Sequence, residues 1–476
     1  MLKKHKALAI VLVFFLASFL VNLALIEHRP VHHDEGVNGY FVSNITEQND
    51  WKYDSGNYHG PTLFYITALS FFVFGNNVFA LRFVPILIGS LSVLIAWLFR
   101  KELGLKGLAV TSFVLAFSPS MLFFSGFAIH EILFCVFLFA SVSLFFKFVD
   151  EGKRWMLLTG SLSLALLMAT KEAGLLIGLA VLLFAFAYAK VSGKKCSGLV
   201  KEKQGIFFAV LLFVLVYSAL FTSFYSNWDG LGDSVNTITQ WGPRVIEEPG
   251  HQKPFEYYLE TLLFSETVLP FVAVCGLGWA LWRKEKLFAG IGLFYLVFFL
   301  VVSFVPYKTP WIVVNFIPGM ALLTGFAAMR FGKMKHAKIH TSYWLVIALL
   351  LVLPVQAFNL NYTNPAGEDN RLAYVHTTEE IWHIVEQARE SDGKIFIAIG
   401  EHSTWPLSWY LKEENVSYYG LDAAENTELL EEFEFIFVRE EEGKNIQNKL
   451  EKFENQTIDL RPGTRLTVFW RAETEE

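Results

Sequence analysis

The chain has 476 residues, of which 54% are apolar and only 18% charged, with 47 Phe and 13 Trp. Soluble proteins carry about a quarter charged residues, so the composition argues against a water-soluble protein, and a net charge of -6 with no basic face argues against nucleic acid as a partner. Three cysteines, Cys135, Cys196 and Cys275, are too few for a disulfide framework and read as small packing residues.

The chain opens with Met1-Leu-Lys-Lys-His-Lys6 and an apolar run from Ala7 to Ile26. That run is about 20 residues, enough to span a hydrocarbon core of ~30 Å. It lacks the short apolar region and small-x-small cleavage site of a signal peptide, so it reads as a retained span. Further spans are predicted at 78–99, 106–124, 128–149, 155–170, 173–190, 206–225, 267–283, 287–305, 311–330 and 343–360, making about eleven. Thr62–Phe74 is apolar but too short, and reads as a re-entrant or interfacial amphipathic helix on the outer leaflet.

Loop charge supports this count. With a cytoplasmic N-terminus, the inner loops carry Arg100, Lys101 and Lys106; Lys147, Lys153 and Arg154; Lys190 through Lys203; Arg283, Lys284 and Lys286; and Arg330 through Lys338. Every second loop is basic, as cytoplasmic loops are. Counting Thr62–Phe74 as a span would reverse the parity of everything after it. Two outer segments are then large, 27–77 and 226–266.

The tail changes character. From about Asn361 it is polar and acidic, with short apolar strands at Lys394–Ile399, Phe433–Val438 and Leu466–Trp470. Thr377-Thr378-Glu379-Glu380 reads as a helix start, Thr377 capping and Glu380 closing a capping box. The expected fold is a polytopic α-helical membrane domain over 1–360 and a small extracytoplasmic α/β domain over 361–476. The expected location is the plasma membrane, with the N-terminus cytoplasmic.

Chemistry-bearing residues cluster on the predicted outer side. His32-His33-Asp34-Glu35-Gly36 follows the first span at headgroup depth. Adjacent carboxylates there suit two tasks, accepting a proton from an attacking hydroxyl or holding a divalent metal through Asp34 and Glu35. A solvated acidic loop would read the same way. Tyr58-His59-Gly60-Pro61 opens the short apolar stretch, where Pro61 suits a first helical turn. Arg82, His130, Glu131, Lys171, Glu172 and Lys308 lie at outer span ends or outer turns, where they are either membrane anchors or ligands for an anionic lipid.

This layout resembles the GT-C superfamily of membrane glycosyltransferases, which use polyprenyl-phosphate-linked sugars. The residues that carry the resemblance are His33-Asp34-Glu35-Gly36 after the first span, then Tyr58-His-Gly-Pro-Thr-Leu-Phe-Tyr65, then Ala80-Leu-Arg-Phe-Val-Pro85. They look like the protein-mannosyltransferase and aminoarabinose-transferase branch. Tyr307-Lys-Thr-Pro-Trp311 and Trp405-Pro-Leu-Ser-Trp-Tyr410 look closer still to an archaeal family associated with flippase activity.

The resemblance implies Asp34 as the catalytic carboxylate, assisted by Glu35. It implies His33, His59, Arg82, His130, Glu131, Lys171, Glu172, Lys308 and Trp405 as substrate-binding residues. Relatives usually read Ser-Arg, then Arg and an acid, at the start of the fourth span. Here the sequence is Ser125-Gly126-Phe-Ala-Ile-His130-Glu131, which leaves Arg82, Lys171 and Lys308 to supply positive charge. The implied partners are a polyprenyl-phosphate-linked sugar, the lipid bilayer and a glycan or protein acceptor. Trp405, Trp409 and Tyr410 read as stacking platforms for a glycan or as core of the tail domain. Two other readings stay open, a flippase-associated or transporter-like subunit for lipid-linked glycans and a non-catalytic glycan-binding protein.

Overall fold

Long apolar runs can satisfy their backbone groups in lipid only as helices, and helices make up most of the chain. The computed structural model describes residues 2–49, 51–57, 59–193, 203–247, 249–331, 340–391, 393–400 and 403–471. Tyr58, Cys196 and most of the basic loops around 190–203 and 330–338 lie outside the described residues. The chain divides into two units, Met1–Ile26 with Ile45–Asn364, and Glu27–Asn44 with Pro365–Glu476.

In the first unit, eight helices among the described residues are long and apolar enough to cross a membrane, or nine if one bent pair is a single span. The expectation of about eleven differs from this count at three places. Tyr257–Glu266 and Leu269–Trp282 form the bent pair, at 107°. Val78–Phe117 is one run of 40 residues, broken at Gly104 (φ 61°, ψ -174°), a conformation only glycine adopts without strain. Arg154–Met168 is apolar but 15 residues long.

The helix His130–Glu151 is the hub, with 94% of its apolar window buried. It packs against Arg154–Met168, Val78–Ile95, Gly174–Val191 and the 3-10 turn Pro310–Phe316. Thr62–Phe74 is a helix as expected, but it is not amphipathic. Leu69, Phe72 and Val73 are exposed opposite a buried face of Leu63, Phe64 and Phe71, so both sides are apolar. The expected outer loop at 226–266 contains the helix Gly230–Glu247, which Tyr53 ties to residues 51–57 through a 2.7 Å hydrogen bond to Thr237.

The second unit holds a five-stranded sheet in the order β2-β1-β3-β5-β4. The strands are β1 (Ile395–Ala398), β2 (Val416–Tyr418), β3 (Phe435–Arg439), β4 (Phe453–Arg461) and β5 (Thr464–Arg471). β1 runs parallel to β2 and β3, and β5 runs antiparallel to β3 and β4. Alternate residues face opposite sides of a strand. Ile395, Ile397, Phe435 and Phe437 pack with Ile381, Ile384 and Val385 on one side. Phe396, Ala398, Ile436 and Val438 pack with Leu430, Phe433 and Ile446 on the other.

The expected capping box at Thr377 does not form. The helix runs Glu380–Glu390 with no side-chain cap, because the Thr377 hydroxyl donates to the Val31 carbonyl at 2.8 Å and Glu380 accepts from the Asp459 backbone N–H at 2.8 Å.

The segment 27–44 belongs to this unit. Its helix, His33–Ser43, packs against the short helix Leu407–Tyr410. The contact depends on two glycines. A Cβ on Gly39 would lie 2.4 Å from the Trp409 ring, and one on Gly36 3.0 Å from Trp405. The Val31 N–H also donates to the Tyr410 hydroxyl at 2.7 Å. Trp409 is buried, so Trp409 and Tyr410 seat this helix and are not open stacking platforms. Gly39→Val is expected to overpack this seat and destabilise the unit by about 1–3 kcal/mol. Thermal unfolding followed by tryptophan fluorescence reads this, and an unchanged midpoint would contradict the contact.

Candidate active site

Asp34 stands in the first turn of His33–Ser43, and its neighbours are set by the helix cap. His32 is the N-cap and Glu35 completes a capping box. The Glu35 carboxylate accepts the His32 backbone N–H at 3.0 Å and is buried, 1% exposed. His32 Nδ1 accepts the Asp34 N–H at 3.0 Å, so the other ring nitrogen carries the proton and donates to the Tyr374 carbonyl at 2.9 Å. Burial pushes the His32 imidazole below its ordinary value of 6.5, against the pull of Asp34.

Glu35 is therefore a structural residue, and Asp34 is the presented carboxylate, its side chain 41% exposed. His33 Nδ1 lies 3.1 Å from Asp34 Oδ1. Arg461, from the end of β4, is also within electrostatic reach of Asp34. Arg461 and the helix N-terminus give the carboxylate a favourable positive potential. Trp405 packs beside Gly36, and its carbonyl accepts from Arg461 at 2.8 Å. Among the described residues no group of three or more His, Cys, Asp or Glu is disposed to hold a metal ion.

The membrane unit brings its own predicted residues together. His59 forms an isolated antiparallel bridge with Lys171, and the Gly60 N–H donates to the Thr170 carbonyl at 3.2 Å. A Cβ on Gly60 would sit 2.2 Å from the Ala169 oxygen, so only glycine allows this approach. The bridge sets His59 Nδ1 2.9 Å from Glu172 Oε2. Lys171 Nζ reaches Glu131 Oε2 at 2.7 Å, and Asn315 donates to the other Glu131 oxygen. The His130 ring lies 4.6 Å from His59, between it and Phe64.

Both carboxylates are 2% exposed, whereas His59 is 41% exposed. Burial lowers the Lys171 ammonium's pKa, but Glu131 and Glu172 outweigh it and hold the group above the ordinary lysine value. Burial likewise raises Glu172, but His59 and Lys171 outweigh that and hold it below the ordinary carboxylate value.

The two remaining predicted cations are bound by backbone carbonyls. Arg82 is buried and donates to the Ile26 carbonyl at 2.8 Å. Lys308 donates to the carbonyls of Val305 at 2.5 Å and Lys253 at 3.1 Å. The Tyr258 ring centroid lies 6.0 Å from its Nζ. Burial pulls its pKa below the ordinary lysine value, with Glu256 opposing.

Sequence reasoning missed Asn315 and Arg461. Asn315 is a polar residue inside the apolar run Trp311–Phe316, and that interruption was its signal. Nothing local marks Arg461.

Residues 58–221 match the family described as dolichyl-phosphate-mannose-protein mannosyltransferase. That stretch includes His59, Arg82, His130, Glu131, Lys171 and Glu172. An uncharacterised protein of Aquifex aeolicus (strain VF5) is 24% identical over 272 residues, 56% of this chain and 52% of that one, so the chain spans about half the length of the curated relative it matches.

Among solved structures, ArnT from Cupriavidus metallidurans bound to undecaprenyl phosphate superimposes with a TM-score of 0.62 at 14% identity, covering 97% of this chain and 98% of that one. The apo state of the same protein gives 0.66 at 13% identity, covering 96% and 97%. At such identities the likeness is one of fold. The chain shares the fold of ArnT and carries, among the described residues, at least eight helices long and apolar enough to cross a membrane.

Two outcomes follow from the geometry. Lys171→Met strands Glu131 as a buried carboxylate and is expected to cost about 3–5 kcal/mol. Adding Glu131→Gln should restore part of that stability in a double-mutant cycle of thermal unfolding, and strictly additive losses would contradict the pairing. His32 must be neutral to accept the Asp34 N–H. Because its pKa is lower in the fold, the stability it contributes is present above 6.5 and is lost as pH falls through the folded value. His32→Asn keeps an N-cap without a titrating ring, and its unfolding midpoint should depend less on pH below 6.5.

Proposed function

We propose that this protein transfers a sugar from a polyprenyl-phosphate-linked donor to an acceptor hydroxyl on the outer face of the membrane, with inversion at the anomeric carbon. The observation that carries this reading is the presented carboxylate of Asp34. It is held in a capped first turn, half exposed, beside His33 and within electrostatic reach of Arg461. The GT-C fold, the family match over 58–221 and the undecaprenyl phosphate bound by ArnT in its crystal structure support a lipid-phosphate donor.

In this reading Asp34 accepts the proton of the acceptor hydroxyl as its oxygen attacks the anomeric carbon. The new glycosidic bond forms as the bond from the anomeric carbon to the phosphate oxygen breaks. Polyprenyl phosphate then leaves as an anion. It is a good leaving group, so no general acid is needed. Within the membrane unit, Lys308 is the cation that suits an anionic lipid phosphate, because backbone carbonyls hold it and no carboxylate neutralises it at contact distance. His59, the exposed member of its cluster, suits a hydrogen bond to the donor head. Glu131, Glu172 and Asn315 position Lys171 and His59. In this reading the N-terminus lies in the cytoplasm and the C-terminal unit outside, which the basic alternate loops support.

The test uses purified protein in lipid, a panel of radiolabelled polyprenyl-phosphate sugars and crude membrane acceptors. Wild type is expected to move label off one donor. Asp34→Asn should lower that rate by about 10²–10⁴-fold, the usual contribution of a positioned base. Equal transfer by both would remove Asp34 from the chemistry. Absence of transfer from every donor would favour a flippase-associated or glycan-binding role, consistent with Ser125-Gly126 standing where relatives carry arginine.

A further inference from the structure

The sheet of the C-terminal unit reverses its winding between β1 and β3. The chain leaves β1 for β2 on one side and returns to β3 on the other, both parallel to β1. In open α/β sheets such a reversal leaves a crevice beyond the carboxyl ends of the strands, where ligands bind. A cleft of about 710 Å³ lies there, within the range of small-molecule sites. Ser403 comes from the loop after β1, Arg439 and Glu441 from the end of β3, and Arg461 and Arg465 from the β4–β5 hairpin.

The lining defines the ligand's chemistry. No described residue lining the cleft is aromatic or carries a large aliphatic side chain, so an acyl or polyprenyl chain finds no surface there. Charges of both signs alternate around it. Arg465 is paired with Asp459 at 2.9 Å and Glu440 at 3.2 Å, which leaves little net field for a highly charged ligand.

Arg461 is 8% exposed and fixed by the Trp405 carbonyl. Arg439 donates only its Nε, to the Ile399 carbonyl at 3.0 Å. Its terminal nitrogens and the Glu441 carboxylate have no partner among the described residues. Planar donors and planar acceptors facing one cleft match the vicinal hydroxyls of a sugar ring, which donate and accept side by side.

We propose that this cleft is a saccharide-binding site and, resting on the transferase reading above, that the saccharide is the acceptor glycan. Arg461 lines the cleft and donates to the Trp405 carbonyl at 2.8 Å, and Trp405 lies against Gly36, two residues from Asp34, so a glycan held there ends near the carboxylate that would take its hydroxyl proton.

The test measures binding to the full chain in lipid nanodiscs by saturation-transfer NMR. The probes are mannotriose, maltotriose and chitotriose, with inorganic phosphate as a separate probe. At least one oligosaccharide is expected to bind, with its affinity reduced about tenfold or more in both Arg439→Ala and Glu441→Gln. Asp34→Asn should retain that binding. Three results would overturn the proposal: no binding of any oligosaccharide, binding undiminished in both variants, or phosphate binding that displaces the sugars. Because binding is read without turnover, saccharide binding in a protein with no transferase activity would refute the transferase reading and leave the cleft assignment standing.

Discussion

The polar side of the membrane unit depends on one buried ion pair, Lys171 with Glu131. An ionised carboxylate in an apolar interior is tolerated only when paired and hydrogen-bonded. Glu131 meets both demands, with Lys171 on one oxygen and Asn315 on the other. The pair in turn fixes the turn after Arg154–Met168 against residues 59–62, since Lys171 is bridged to His59 and the Thr62 N–H donates to the Ala169 carbonyl. Glu172 then finds His59. Three segments far apart in sequence are thereby joined, and the exposed imidazole of His59 is the group they present.

The C-terminal unit solves a parallel problem with a neutral histidine. A helix start leaves four N–H groups without intrahelical partners, and here His32 and Glu35 satisfy two of them reciprocally. That separates two adjacent carboxylates by role. Glu35 is buried in the cap, while Asp34 stays half exposed. Gly36 and Gly39 let the same helix lie on Trp405 and Trp409, so the position of Asp34 rests on packing as well as on the cap.

Much of the fold was legible because strong constraints wrote it into composition. A bilayer needs about 20 apolar residues per crossing, and that requirement marked the spans. β1, β3 and β5 were visible because they are buried almost throughout. β4 was not, because Glu454, Asn455, Gln456 and Thr457 are all exposed and read as loop. The cap at Thr377 was misread because its hydroxyl is taken by Val31, a partner 346 positions away that no local pattern reveals. The real capping box escaped notice because histidine is an unusual N-cap. The site residues were found by type and membrane side, but their pairing was hidden. Nothing local says that Lys171 answers Glu131 or that Arg461 lies near Asp34.

The proposed single displacement inverts the anomeric carbon, and the anomeric configuration of the product reports this, read by NMR coupling constants after transfer from a polyprenyl-phosphate sugar of known anomer. The product is expected to have the configuration opposite to that of the donor. Retained configuration would require a covalent glycosyl intermediate or a different nucleophile, and would contradict the role given to Asp34.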